Sequence, residues 1–100
     1  MFRKLYWVTE QVMPDGNSHV TGVFTSIPNL VKGGFACKEL GLLRLTLTKL
    51  DCEEGALGRW TGPDFSGLQD RLVEFVRTEE FTPEQCESLV LALGTHKAGV

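Results

Sequence analysis

The stretch Leu5-Tyr6-Trp7-Val8, set inside the segment 3–12, decides the fold. Its four consecutive apolar β-formers lack the alternation of a strand with one wet face. Such a run suits a strand buried on both faces, and therefore one with neighbours on either side. Immediately after it, Met13-Pro14-Asp15-Gly16-Asn17-Ser18 is dense in turn-forming residues. The β pattern resumes over 19–25 with Val20, Val23 and Phe24, so the first two strands form a hairpin with a longer loop.

The segment 26–34 reads as a short helix. Ser26 can cap it, Pro28 fits its first turn, and Ile27, Leu30 and Val31 share one face. Gly33 or Gly34 can take the left-handed conformation that ends a helix. Strand alternation is clearest over 42–51, where Leu43, Leu45 and Leu47 point one way and Arg44, Thr46 and Thr48 the other. A turn at 51–55 leads to a short fourth strand at 57–61. Ser66-Gly67-Leu68-Gln69 fits a capping box, and Leu68, Leu72, Phe75 and Val76 form the apolar face of the helix it opens. Thr82-Pro83-Glu84-Gln85 is a second capping box, with Phe81 and Cys86 at the positions of a hydrophobic staple. Cys86, Leu89, Val90 and Leu93 line that last helix, which Gly94 can end.

The order is β-β-α-β-(β)-α-α. A parallel crossover through the first helix returns strand three to the free side of strand one. The expected fold is α+β: a three- or four-stranded, mainly antiparallel sheet of order 2-1-3-4 with three helices. One domain spans 1–94, followed by a flexible tail over 95–100. A chain of 100 residues with 42% hydrophobic composition can bury one modest core and no second one.

Charge and cysteines narrow the function classes. Ten basic against thirteen acidic residues give a net charge of −3, which argues against nucleic acid as a partner. The first 50 residues carry six basic and three acidic side chains, and the last 50 carry four and ten. Three cysteines at wide spacing (Cys37, Cys52, Cys86) match neither a zinc site nor a disulfide framework. No apolar run reaches the length of a membrane span or a signal peptide, and the expected location is the cytoplasm. No cofactor or metal site is expected. The acidic turn Asp51, Glu53, Glu54 with Asp64 lacks the spacing of a calcium loop.

Two surfaces carry functional readings. The first is Gly58–Gly67, where Arg59, Trp60, Ser66 and Gly67 put a cation, a stacking face and free helix-start N–H groups in sequence. This suits an anion or small ligand; the competing structural reading makes Trp60 and Phe65 core anchors. The second is the face of strand three bearing Arg44, Thr46 and Thr48, joined by alternate residues of strand one. An open, partly apolar sheet face suits a protein partner or a second copy. Cys86 sits one turn into a helix, but neither His19 nor His96 is placed to activate it, so it reads as a core thiol. No catalytic signature is present. The expected function is a non-catalytic interaction or regulatory module. A ligand-binding domain is the alternative, and a small enzyme with acid and base brought together from distant residues is the third class.

Overall fold

The computed structural model describes residues 5–35, 42–49, 56–62 and 64–95. The turn at 51–55, Cys37, Cys52, His96 and the tail beyond Thr95 lie outside them.

Strand β1 (Leu5–Val12) is central. It pairs antiparallel with β2 (Ser18–Phe24) on one side and with β3 (Leu42–Lys49) on the other, and β4 (Ala56–Thr61) closes the order β2-β1-β3-β4. This is the arrangement expected from the apolar run. Its burial differs from the expectation: Leu5, Trp7, Thr9 and Gln11 are buried, whereas Tyr6, Val8, Glu10 and Val12 are only half-buried. Helices cover one face of the sheet. On the other, where no described residue forms a second layer, cross-strand neighbours shield β1 and favour apolar residues there.

The hairpin loop forms as its residues dictate. The Gly16 amide donates to the Met13 carbonyl at 3.0 Å, Gly16 takes φ 91°, and the Asn17 amide donates to Asp15 Oδ1 at 3.0 Å. A bulge follows where the register shifts between Thr9 and Glu10, leaving Thr21 without an opposite number. The bulge serves a buried hydroxyl. Thr9 Oγ1 lies 2.9 Å from Thr21 Oγ1 and 3.4 Å from the Gly22 carbonyl, so the polar residue on the core face has partners.

Helix α1 (Ile27–Asn29) is capped by Ser26, whose hydroxyl accepts from the Asn29 amide at 3.3 Å. It runs directly into a π-helical segment (Leu30–Gly34) that places Leu30 and Gly34 in the interior. No left-handed glycine ends it; the chain leaves through Phe35 at φ −109°. Glycine serves close packing here: a Cβ on Gly34 would fall 2.7 Å from Leu30 Cδ1 and 3.2 Å from Thr9 Cγ2.

Helices α2 (Leu68–Arg77) and α3 (Pro83–Thr95) complete the layer. The second capping box forms in both directions: Thr82 N–H donates to Gln85 Oε1 at 3.1 Å, and Gln85 N–H to Thr82 Oγ1 at 3.2 Å. The first does not. The residue before α2 is Gly67 without a side-chain cap, and Asp64 Oδ1 instead accepts the Ser66 amide at 3.1 Å. α3 continues through Gly94 to Thr95.

The core joins Trp7, Leu43, Leu45, Leu47 and Trp60 of the sheet to Ile27, Leu30, Leu68, Leu72, Leu89 and Leu93 of the helical layer. Aromatic rings run through it. Trp7 lies 6.4 Å from Trp60 and 5.7 Å from Phe81, and Phe81 meets Phe75 edge-on at 5.6 Å. Arg71 fastens α2 to the sheet. The register shift between Leu47 and Thr48 leaves Leu57 unmatched, and its carbonyl accepts from Arg71 Nη2 at 2.8 Å and Nε at 3.2 Å.

The end of α2 gives a direct test of local strain. Glu79 N–H donates to the Val76 carbonyl at 3.0 Å and Glu80 N–H to that of Phe75 at 3.1 Å, which is a Schellman ending with Glu79 at its left-handed position (φ 63°). A side chain there crowds the following carbonyl, and glycine does not. Glu79→Gly should therefore stabilise the protein by about 0.5–1 kcal/mol, with some of the relief offset by the freer unfolded chain. Thermal unfolding should show a rise of about 3–6 °C. A fall would mean that the Glu79 side chain makes a stabilising contact of its own.

Candidate functional site

Residues paired across an antiparallel ladder share a face, so the register lays out the side of the sheet that no described helix covers. Tyr6 stands opposite Thr48, Val8 between Val23 and Thr46, Glu10 between Val20 and Arg44, and Val12 opposite Leu42. Beyond β3, Arg59 stands opposite Thr46 and Thr61 opposite Arg44. Arg44, Thr46 and Thr48 therefore lie together on this face, and β1 and β2 add valines to it.

The arrangement has a polar half and an apolar half. Arg44 and Glu10 approach to 3.8 Å, with Ser18 Oγ donating to Glu10 Oε2 at 3.2 Å. Arg59 Nε donates to Thr46 Oγ1 at 3.4 Å, and Thr46 is 6% exposed beneath its neighbours. A shallow depression of about 290 Å³ runs between Val8, Val20, Thr46, Thr48 and Arg59. On the β2 side, Val20 and Val23 are 57% and 59% exposed. These valines were readable as strand residues, but their face depends on the Thr21 bulge, which the sequence does not announce.

The four residues singled out around Gly58–Gly67 are not assembled into one site. Trp60 and Arg59 are adjacent on a strand and point to opposite faces. Trp60 is buried with its ring against Trp7, whereas Arg59 is on the uncovered side with Thr46. Gly67 lies beside Trp60 on the helical side, and Ser66 borders a recess with Phe65, Leu68 and Val90. The start of α2 already has an anionic group: Asp64 takes the Ser66 amide, and hydrogen bonds from the Ser66 side chain and backbone hold its carboxyl below the usual value of 3.8. Strand alternation carried the signal that separates Arg59 from Trp60.

Cys86 is half-buried, with Sγ 4.0 Å from the Leu72 carbonyl, and burial pushes its thiol above the ordinary 9.0. A raised value means less thiolate at neutral pH, the reverse of what a nucleophile needs. Among the described residues, no three His, Cys, Asp or Glu side chains group as a metal site, and no helix is long and apolar enough to cross a membrane.

No protein-family model matches the chain, and comparison with curated proteins and with solved structures finds no match either.

Proposed function

We propose that this protein is a small, non-catalytic interaction module that pairs with a second copy of itself through the uncovered face of its sheet. The observation that carries this reading is the exposure of Val20 and Val23, at 57% and 59%, beside Val8 and Tyr6 on a face that no described helix covers. Exposed valines on a flat β surface cost solvation that a second sheet would recover.

The charges on the face suit a like surface. Glu10 and Arg44 are matched within one chain, so a partner need not supply a counter-charge at the centre. Arg59 is on the edge strand β4, where water can stay on its guanidinium. Two such faces can pack about 10 Å apart with strands crossing at about 30°, related by a two-fold axis. Four strands at ~4.8 Å spacing and ~20 Å length present a footprint of about 400 Å², below the ~800 Å² per partner of a standard interface. A contact of that size falls among the small, transient interfaces, so the expected association is weak. Three widely spaced cysteines suit a reducing compartment, and the cytoplasm is the proposed location.

Sedimentation equilibrium between about 10 µM and 1 mM tests this reading. The average mass should climb towards twice that of the chain. The double variant Val20→Asp/Val23→Asp should stay monomeric throughout, since like charges would meet across the two-fold axis. A wild type that stays monomeric, or a double variant that pairs as well as the wild type, would overturn it.

A further inference from the structure

On the opposite side of the molecule, we propose that the groove between α2 and α3 binds a basic amphipathic helix of another protein. The groove has a volume of about 360 Å³ and is predominantly apolar. Gln69, Leu72, Val73 and Val76 form one wall, and Pro83, Cys86, Val90 and Leu91 line the other. Each wall follows the i, i+3, i+4, i+7 spacing of a helical stripe, with Glu87 completing the second. A trough between two such stripes is the complement of a third helix, whose own apolar residues recur at the same interval.

Exposure shows that no described residue fills this surface. Val73 is 47% exposed, Val90 36% and Leu91 64%, although each belongs to a well-formed helix whose inner face is buried. α2 thus carries two apolar stripes that meet at Leu72: Leu68 and Leu72 are buried in the core, and Val73 and Val76 extend outward the wall that Leu72 begins.

Charge selects the occupant. From Leu68 to Thr95 the chain carries six acidic and two basic side chains. One of the two bases, Arg71, is engaged by the Leu57 carbonyl and by Glu74 at 3.0 Å. Glu87 stands in the wall itself, and α3 has no basic residue in its last turn. An apolar stripe flanked by lysines or arginines would meet both features, and a neutral or acidic helix would meet only the first. This surface is separate from the uncovered sheet face, so pairing there and binding here can succeed or fail independently.

The probe is a synthetic peptide of about 18 residues, long enough to span the ~20 Å of α3, with leucines at helical spacing and lysines elsewhere. Its control has the same composition in an order that destroys the stripe. Titration by calorimetry, with amide NMR to map the site, should show binding of the striped peptide with shifts on Val73, Val90 and Leu91. The control should bind at least about tenfold more weakly. Leu91→Lys should weaken binding of the striped peptide by about tenfold or more. Glu87→Gln, which leaves the apolar wall intact, should weaken it by about two- to fivefold and flatten its salt dependence. Equal binding of both peptides, shifts confined to the uncovered sheet face, or an unchanged affinity in both variants would overturn the proposal. So would groove shifts that grow with protein concentration in the absence of peptide, because the occupant would then be a second copy.

Discussion

Replacing Trp7 by alanine should destabilise the protein by about 3–5 kcal/mol, the range for truncating a large aromatic in a packed core. Trp7 is 1% exposed in the central strand, and its ring touches both ends of the structure: Trp60 on the edge strand at 6.4 Å and Phe81 in the link between α2 and α3 at 5.7 Å. Its removal opens a void that backbone shifts cannot close, because β1 is hydrogen-bonded on both sides. A domain of this size has about 5–15 kcal/mol of total stability. The variant should therefore unfold about 12–40 °C below the wild type, or fail to fold if the total stability is at the low end of that range. Tyr6→Ala, one residue away on the uncovered face, should cost about 1 kcal/mol or less, within the range of ordinary substitutions. Equal effects at the two positions would contradict the one-sided helical layer.

The second large effect is expected at Gly58, where the change adds atoms instead of removing them. Gly58 is opposite Leu47 on the core side of β4, and the Trp60 indole folds back over it. A Cβ there would fall 2.8 Å from Trp60 Cζ2 and 2.9 Å from Cζ3, closer than real Cβ atoms come to their neighbours. Alanine is the better strand residue by about 0.5–1 kcal/mol, so propensity alone makes Gly58→Ala stabilising. Packing overrides that preference. The ring must leave its place beside Trp7, and the expected net result is a loss of about 1–3 kcal/mol. The double-mutant cycle separates the two effects. In a Trp60→Ala background the obstacle is gone, and Gly58→Ala should become neutral or stabilising. Chemical denaturation of the four proteins measures this coupling. A cost that persists without Trp60 would place the strain in the backbone of β4.

Much of this architecture was legible in the residues. Leu5–Val8 marked a central strand, Met13–Ser18 marked the hairpin turn, and the Leu43, Leu45, Leu47 alternation assigned β3 its buried face. The reciprocal cap of α3 was equally plain, because Thr82 and Gln85 satisfy each other's amides and Pro83 between them has no amide to satisfy. Local chemistry fixed each of these. What the sequence did not reveal depends on neighbours distant along the chain. The half-buried second face of β1 looks like full burial when read as an apolar run, since the pattern cannot distinguish a covering helix from flanking strands. Asp64 is the local exception: its carboxylate takes the Ser66 amide, the donor that the capping box assigns to the Gln69 side chain. The bulge at Thr21 set which way the β2 valines point, and the shift at Leu57 created the carbonyl that Arg71 grips; neither has a sequence signature. The Arg59–Trp60 pair was misleading in its own way. Adjacent residues suggest one site, but on a strand adjacency places them on opposite faces.

The same geometry explains why the uncovered face and the α2–α3 groove differ in chemistry. The sheet face pairs Glu10 with Arg44 within one chain and leaves valines at one side, which suits a like surface. The groove is walled by two helical stripes with Glu87 in one wall, in a segment where acidic side chains outnumber basic ones, which suits a cationic helix.

Valine-methyl NMR across a dilution from about 1 mM to 10 µM tests the role of the sheet face most directly. The signals of Val8, Val20 and Val23 should move with concentration while those of Val73 and Val90 stay fixed. Spectra that are identical at every dilution, or movement confined to Val73 and Val90, would contradict it.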